Sequence, residues 1–277
     1  MLSSLDDGGV ERDSSAYQLE TIWAFSKDNI WVTNGFQMAN WDGKKWNRIN
    51  PQINSLNGSM NKIWANSPKE IYLIGTNGSI VFFNGTTFTK MNSGTTNQLD
   101  DIWGTSSSNI WAVGNDPDGI LLHYDGIKWE TYDHIVYSAD DFEPPTNYLK
   151  AGLFSVFQYS EKDSLYVSTS WGIQKRSRNK DGKASWVYER RWQTDENAIG
   201  IPLRLRGITA NDLFAIGDRG VLLHFNGKTW RRYSDINNRQ AQMKSIDVRK
   251  NIIVGVGTKL FAPFSDNGTA LIVRGYR

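Results

Sequence analysis

The stretch Ile102-Trp103-Gly104-Thr105-Ser106-Ser107-Ser108-Asn109-Ile110-Trp111-Ala112-Val113-Gly114 decides the fold, because it recurs along the chain. Close copies begin at Leu19 and Met60, and each repeats the Ile-Trp pair followed by a second Ile-Trp or Ile-Tyr pair. Fainter copies begin near residues 153, 205 and 243. Six copies at a spacing of about 40 residues or more indicate an architecture in which each copy is one supersecondary unit.

Each copy contains enough β-forming sequence for four short strands, which we name a to d. Two apolar runs are separated by a turn rich in Ser, Asn and Asp, and a third run leads through an Asx-Gly pair into a fourth. These pairs are Asp42-Gly43, Asn84-Gly85, Asp125-Gly126 and Asn226-Gly227. Because Asx-Gly tolerates positive φ at both central positions, we expect type I′ turns that join strands c and d in at least four copies.

Strands a and b carry apolar residues at consecutive positions, as in Ile63-Trp64 and in residues 110–113. Such a strand is buried on both faces, whereas a strand of a two-layer sandwich would alternate. The sequence therefore predicts an all-β fold, a β-propeller of about six four-stranded blades, formed by residues 1–277 as one domain. The last copy ends with residues 269–274 as strand c, so we expect residues 7–14 to complete this blade and close the ring.

Composition excludes several classes of site and partner. The chain has no cysteine, which excludes disulfides, thiolate metal sites and cysteine nucleophiles. No apolar stretch approaches the roughly 18 residues that a membrane-spanning helix needs, so membrane insertion is not expected. The net charge is only +2, and nucleic acid is not an expected partner. Acidic residues are in excess in the first half and basic residues in the second, which fits either an anionic partner or ordinary surface charge.

The run at residues 102–114, followed by Leu121-Leu122-His123-Tyr124-Asp125-Gly126-Ile127-Lys128-Trp129, resembles the repeats of bacterial extracytoplasmic β-propeller proteins. The resemblance covers nearly the whole chain. It implies the propeller fold and a location in the periplasm or at the cell surface. It implies no activity, because propellers support enzymes, lectins and scaffolds alike.

Two sets of repeated residues suggest chemistry but are better explained by packing. Trp23, Trp64 and Trp103 occupy one repeat position, which favours packing between blades over a ladder for carbohydrate stacking. His123 and His224 also occupy equivalent positions, in blades that are not neighbours. A hydrogen bond within each blade explains them better than a shared metal ion, and the zinc-type ligand spacing is missing. We therefore expect no metal and no cofactor.

The departures from the repeat point to function, because irregular loops on a regular scaffold usually carry it. The long loops 134–152, 193–202 and 259–268 are expected on one face, since d–a and b–c connections emerge together. Trp171 is a large aromatic residue in a b–c turn where other blades are expected to place small or polar residues. Candidate binding residues on this face are Tyr137, Asp140, Asp141, Glu143, Tyr148 and Trp171. Two alternatives stay open: the 134–152 loop caps the channel, and Trp171 packs beneath it. Arg204 and Arg206, at the start of an innermost strand, are further candidates that either face the channel and bind an anion or pair with a nearby carboxylate.

These features favour a non-catalytic binding or assembly scaffold that recognises a protein, or less favourably a glycan, through this face. Two alternatives remain open: an extracytoplasmic carbohydrate-active hydrolase or lyase that uses the carboxylates of residues 140–143, and a structural module of a larger surface assembly. Common nucleophile, phosphate and zinc-protease motifs are missing from the sequence, so catalysis is the less favoured interpretation.

Overall fold

The computed structural model describes residues 19–49, 58–116, 118–135, 152–178, 184–191, 200–233, 241–259 and 269–276. The chain folds as an all-β, six-bladed β-propeller of antiparallel blades, which confirms the predicted fold. Two compact units divide it: unit 1 holds residues 1–112 and 122–132, and unit 2 holds residues 113–121 and 133–277. Blades 1 and 2 belong to unit 1 and blades 4 to 6 to unit 2, while blade 3 contributes strands to both.

The strands of blades 1 to 3 follow the repeat in order. They are β1 (Thr21–Ser26), β2 (Asn29–Thr33), β3 (Met38–Trp41), β4 (Trp46–Ile49), β5 (Met60–Ser67), β6 (Glu70–Gly75), β7 (Ile80–Phe83), β8 (Phe88–Met91), β9 (Gln98–Ser106), β10 (Asn109–Asp116), β11 (Gly119–Tyr124) and β12 (Trp129–Ile135). Each blade is a sheet in which strands a, b, c and d pair in sequence order.

The strands of blades 4 to 6 repeat the same order. They are β13 (Leu153–Phe157), β14 (Leu165–Thr169), β15 (Gly172–Arg178), β16 (Ala184–Arg191), β17 (Pro202–Thr209), β18 (Asp212–Gly217), β19 (Leu222–Phe225), β20 (Trp230–Arg232), β21 (Ala241–Arg249), β22 (Ile252–Lys259) and β23 (Thr269–Tyr276). A short 3-10 turn, Asp218–Gly220, joins β18 to β19. Blade 6 has three strands among the described residues, and residues 7–14 lie outside them.

Strand b is deeply buried in blades 2 to 5. All five residues of β14 are buried, as are residues 71–75 of β6 and 110–114 of β10. The outer strands β4 and β8 contain no buried residue. Consecutive burial of strand b explains why its apolar residues do not alternate, because neighbouring blades cover both faces of the sheet.

The c–d connections differ from the predicted type I′ turns. Gly43, Gly85, Gly126 and Gly227 have positive φ, but the only non-glycine residues with positive φ in the described part are Asn77 and Arg219. The connection is a four-residue loop, as shown by the pairing of Trp41 with Trp46 on either side of it. The Asx side chain closes this loop: Oδ1 of Asp42 accepts hydrogen bonds from the backbone N–H groups of Lys44 and Lys45, both at 2.9 Å. Asn84, Asp125 and Asn226 accept equivalent bonds, so Asx-Gly encodes the hairpin through side-chain capping.

Among the described residues, no helix is long and apolar enough to cross a membrane.

Candidate functional site

The innermost strands of unit 1 are packed by the repeated tryptophans. Trp64 is only 3% exposed, and a Cβ placed on Gly104 of the next blade would lie 2.5 Å from its ring. Trp23 of blade 1 and Trp103 of blade 3 bring their ring centroids to 6.4 Å. Two blades separated by a third can make this contact only where their innermost strands converge. The expected packing role of these tryptophans is confirmed.

The same repeat position carries different side chains in unit 2. Trp64 pairs with Tyr72 on strand b, and Arg206 pairs with the equivalent Phe214. By the same pairing, Phe157 occupies the position in blade 4 and Asp247 occupies it in blade 6. Aromatic packing has thus been replaced by a cation in blade 5 and by a carboxylate in blade 6.

Arg206 is buried, with an exposed fraction of 7%, and its guanidinium joins blade 5 to blade 4. Its Nη1 donates to Oγ of Ser155 at 3.2 Å and to the carbonyl oxygen of Leu205 at 2.7 Å. Arg204 lies two residues earlier on the same strand, and its Nη1 donates to the carbonyl oxygen of Phe154 at 2.9 Å. Both guanidiniums therefore lie along the innermost strand β13 and are held there by backbone oxygen atoms.

Ser155 is a site residue that the sequence analysis missed. It is fully buried, and its Oγ also accepts a hydrogen bond from the backbone N–H of Leu205 at 3.1 Å. The available signal was a polar residue in the middle of an otherwise apolar strand, Leu153–Phe157. A buried hydroxyl needs hydrogen-bond partners, and here it receives them from two groups of the next blade.

Trp171 lies in a tight turn at the end of blade 4 nearest to Arg204. Its backbone N–H donates to Oγ1 of Thr169 at 3.1 Å, and Ser170 and Gly152 exchange two hydrogen bonds, N–H of Ser170 to the carbonyl of Gly152 and N–H of Gly152 to Oγ of Ser170. Gly152 leads directly into β13, whose Phe154 accepts the bond from Arg204. The structure therefore brings Trp171 and Arg204 to the same end of unit 2.

The b–c turn of blade 1 also carries an aromatic residue, Phe36, which is 65% exposed. The two turns differ in length, because Thr33 pairs with Met38 across four residues whereas Thr169 pairs with Gly172 across two. Oγ1 of Thr33 accepts the backbone N–H of Gly35 as Oγ1 of Thr169 accepts that of Trp171, so the small residue Gly35 occupies the position of Trp171 in blade 1. Trp171 is half-buried, whereas Phe36 is exposed.

Where both are described, the d–a and b–c connections meet at one end of the blade. In unit 1, Ser59 donates its backbone N–H to Oγ1 of Thr76 at 2.8 Å, and Gly78 donates to the carbonyl of Asn97 at 2.8 Å. In unit 2, Ile201 donates its backbone N–H to a carboxylate oxygen of Asp218. Tyr137, Asp140, Asp141, Glu143 and Tyr148, and most of the loops 134–152, 193–202 and 259–268, lie outside the described residues, so their role stays a prediction.

The repeated histidines make the hydrogen bond predicted for them. Nε2 of His123 lies 2.9 Å from Oδ1 of Asn109, and Nε2 of His224 lies 2.8 Å from Oδ1 of Asp212. Both partners are the first residue of strand b in the same blade. Each ring also packs on the aromatic residue of strand b, as His224 does on Phe214 with centroids 4.2 Å apart. Within the described ranges, no group of three or more His, Asp or Glu side chains could hold a metal ion.

One carboxyl of unit 2 has a shifted pKa. Burial raises the pKa of Asp133, although hydrogen bonds from the backbone of His134 and from the Trp186 side chain act in the opposite direction. His134 lies 3.6 Å from Asp118 through Nε2. These groups stand where β12 leads out of blade 3.

Comparisons with known proteins support the fold. No protein-family model matches the chain, and no curated protein matches it. The chain is similar to a solved structure described as "YCF48 bound to D1 peptide", with a TM-score of 0.65 and 18% identity, over 91% of this chain and 78% of that one. It is also similar to YCF48 from Cyanidioschyzon merolae, with a TM-score of 0.63 and 15% identity over 90% and 82% of the two chains. A third similar structure is the WD40 repeats of RRP9, at 0.61 and 8% identity over 88% and 75%. At these identities the likeness shows the propeller fold alone.

Proposed function

We propose that the chain is a non-catalytic scaffold that binds an acidic segment of a partner protein at the end of unit 2 where Trp171 and Arg204 lie. The observation that carries the proposal is the replacement of the repeated tryptophan by Arg206, with Arg204 beside it on β17. A guanidinium is a planar fork of donors that matches a carboxylate, and it stays charged in proteins. Two such groups placed side by side create a region of positive potential that an anionic segment would relieve.

The neighbouring aromatic ring supports recognition of a polypeptide. Tryptophan and arginine are the residues that most often dominate the binding energy of protein interfaces. Trp171 is half-buried in a turn whose backbone is fixed at both ends, so it can contact a partner with little loss of conformational entropy. In the proposal, Tyr137, Asp140, Asp141, Glu143 and Tyr148 of the 134–152 loop extend the same surface.

The similar propeller described as bound to a D1 peptide supports the choice of a peptide partner, because it is a propeller of comparable size that accommodates one. A glycan is the less favoured partner in this proposal. We also propose a bacterial, extracytoplasmic location, which rests on the resemblance of the repeats alone. Fractionation of source cells would test it: recovery of the protein only with cytoplasmic markers would contradict it.

A display experiment with random peptides tests the binding function. We expect immobilised protein to enrich acidic peptides, and we expect the affinity of an enriched peptide to fall as salt concentration rises. Trp171→Ala should reduce the binding free energy of that peptide by about 2 kcal/mol, which corresponds to a roughly 30-fold higher Kd. Arg204→Gln should lower the affinity for acidic peptides and leave the affinity for neutral peptides unchanged.

Two variants serve as matched controls. Phe36→Ala removes the exposed aromatic of the equivalent turn in blade 1, and Arg249→Gln removes an exposed cation from the a–b end of blade 6. Both should bind the enriched peptides like the wild type. Enrichment of peptides without acidic residues, or equal losses in the control and test variants, would refute the proposed site.

A further inference from the structure

The outer part of most blades is filled by an aromatic pair at the c–d hairpin. Strand c contributes the first ring and strand d the second, and their centroids lie 4.5–5.7 Å apart in blades 1, 2, 3 and 5. The pairs are Trp41 with Trp46, Phe83 with Phe88, Tyr124 with Trp129, and Phe225 with Trp230. In blade 2, Phe83 also packs on Trp31 of blade 1 at 5.6 Å, so the pair fills the space between two blades.

The described strands of blade 6 lack this pair. Phe83 pairs with Ile71 on strand b, and the residue that pairs with the equivalent Ile253 is Gly275. The next position on the same face changes in the same direction, from Leu73 to Gly255. No strand d, and therefore no second ring, is present among the described residues of this blade.

A cavity of about 250 Å³ lies between blades 5 and 6, where the aromatic pair would sit. Its walls include Phe214, Ile216 and Leu222 of blade 5 and Met243, Ile253 and Val273 of blade 6. A Cβ placed on Gly275 would lie 3.5 Å from Ile253, an ordinary contact distance, so the glycine borders open space. The cavity is therefore the vacant counterpart of the space that Phe83 and Phe88 fill in blade 2.

Polar and cationic groups border this apolar cavity. His224 lines it, with its ring stacked on Phe214 and its Nε2 bonded to Asp212. Arg274 also lines the cavity, and the guanidinium of Arg231 lies 5.2 Å from the ring of Tyr233, another lining residue. Arg231 and Arg274 are both exposed. A ligand in the cavity would therefore contact apolar side chains and would have two exposed cations, Arg231 and Arg274, beside it.

We propose that this cavity is a second binding site, which takes an aromatic side chain from an acidic segment of a partner protein. An aromatic ring would restore the contacts that the hairpin pair makes in the other blades, and acidic neighbours would complement Arg231 and Arg274. The segment at residues 7–14, expected from the sequence to complete blade 6, contains no aromatic residue and so cannot supply the ring. The site is separate from that of Trp171 and Arg204, so either proposal can fail without the other.

A short synthetic peptide tests the site directly. The probe is a pentapeptide with para-fluorophenylalanine at its centre and two glutamates on each side, and binding is followed by fluorine NMR as protein is added. The first matched peptide has alanine at the centre, with a trifluoroacetyl label at its N-terminus, and the second replaces the glutamates by lysines. We expect the aromatic acidic peptide to bind about tenfold or more tightly than either.

Protein variants locate the binding. Gly275→Phe places a ring where blade 2 has Phe83. We expect this variant to bind the probe peptide about tenfold or more weakly, with no decrease in its melting temperature. Gly275→Ala adds only a methyl group and should bind like the wild type. Arg274→Glu should weaken the probe without touching the packing, while Arg249→Glu, a charge change at the a–b end of the same blade, should not.

Several outcomes would overturn the inference. Equal binding of the aromatic and alanine peptides, or of the probe to wild type and Gly275→Phe, would show that the cavity does not take the ring. If Gly275→Phe fails to fold, unchanged binding by Arg274→Glu overturns the proposal on its own. Binding of free 3-phenylpropionate as tightly as the peptide would assign the cavity to a small aromatic acid, and no binding of any probe would leave the cavity a packing feature of this blade.

Discussion

The space between blades 1 and 2 in unit 1 and the space between blades 5 and 6 in unit 2 are built from the same repeat positions but are filled differently. Near the inner strands the residues are kept, with Met60 matched by Met243 and Ile63 by Ile246. Towards the outside, Leu73 is matched by Gly255 and Phe83 by Gly275. These inner positions keep their packing residues, whereas the outer positions differ and the blade still forms.

The innermost strands show a second difference of the same kind. Trp64 is buried against Gly104 in unit 1, whereas the equivalent Arg206 bonds to Ser155 and to backbone oxygen atoms in unit 2. Both residues join neighbouring blades, one by dispersion and the other by hydrogen bonds. Truncating Trp64 and truncating Arg206 should therefore lower the free energy of unfolding by different amounts.

The largest expected effect is on the tryptophan side. Trp64→Ala should lower the free energy of unfolding by about 3–5 kcal/mol, because it removes a fully packed aromatic ring and leaves a cavity beside Gly104. Urea denaturation followed by tryptophan fluorescence measures this loss. Trp41→Ala, at a half-buried ring of an outer strand, should cost clearly less. Equal losses would show that the inner tryptophan has no special role.

The arginine side should respond less. Arg206→Met keeps the length of the side chain but removes every donor, and it should lower the free energy of unfolding by about 1–3 kcal/mol because Ser155 and the carbonyl of Leu205 lose a partner. The same urea experiment measures it, with Arg249→Met as the exposed control. A stabilised Arg206→Met protein would mean that the buried cation is kept at the expense of stability, which would strengthen a binding role for it.

Filling the cavity between blades 5 and 6 should raise the free energy of unfolding, whereas the two truncations lower it. Gly275→Phe is expected to raise the free energy of unfolding by about 1 kcal/mol, since cavity-filling changes commonly stabilise proteins by this amount. Thermal unfolding of wild type, Gly275→Ala and Gly275→Phe measures the trend. A progressive loss of stability along this series would show that blade 6 has no room for a ring.

The sequence predicts the fold because the residues that repeat are the apolar and aromatic residues of strands a and b, which pack between blades. Ile63, Trp64 and their counterparts recur about 40 residues apart in the first three blades, and the fainter copies keep enough of the pattern to indicate repeated units of one kind. The turn type was wrong because Asx-Gly has two uses: it can adopt positive φ at both residues, or the Asx side chain can cap a longer loop. Asp42 does the second, and a dipeptide alone does not distinguish the two.

The candidate site was only partly predictable. Arg204 and Arg206 stood out as charges on an innermost strand, and Trp171 as an aromatic in a turn. Ser155 and the cavity beside Gly275 were missed because their meaning depends on the strand of the next blade that faces them. Such contacts join residues far apart in sequence: Ser155 meets Leu205 and Arg206, and Gly275 is informative only once it is matched with Phe83.

The smallest expected effect concerns the capped c–d loops and separates those with Asp from those with Asn. Hydrogen bonds from the Asn47 side chain and from the backbone of Lys45 and Lys44 lower the pKa of Asp42 from 3.8 to about 2. A carboxyl whose pKa is lower in the folded state stabilises that state above its unfolded pKa, and this stabilisation disappears as pH falls through about 2. Asp42→Asn keeps the backbone bonds, as Asn84 shows in blade 2, but loses the bond from Asn47. The melting temperature of wild type should therefore exceed that of Asp42→Asn slightly at neutral pH, and this difference should disappear below the unfolded pKa.

Asp125→Asn should also lower the melting temperature slightly at neutral pH, because hydrogen bonds from the backbone of Lys128 and Ile127 lower the pKa of Asp125. A gap that stays constant down to pH 2 would mean that the Asx cap acts through its shape alone and that its charge contributes nothing to the hairpin.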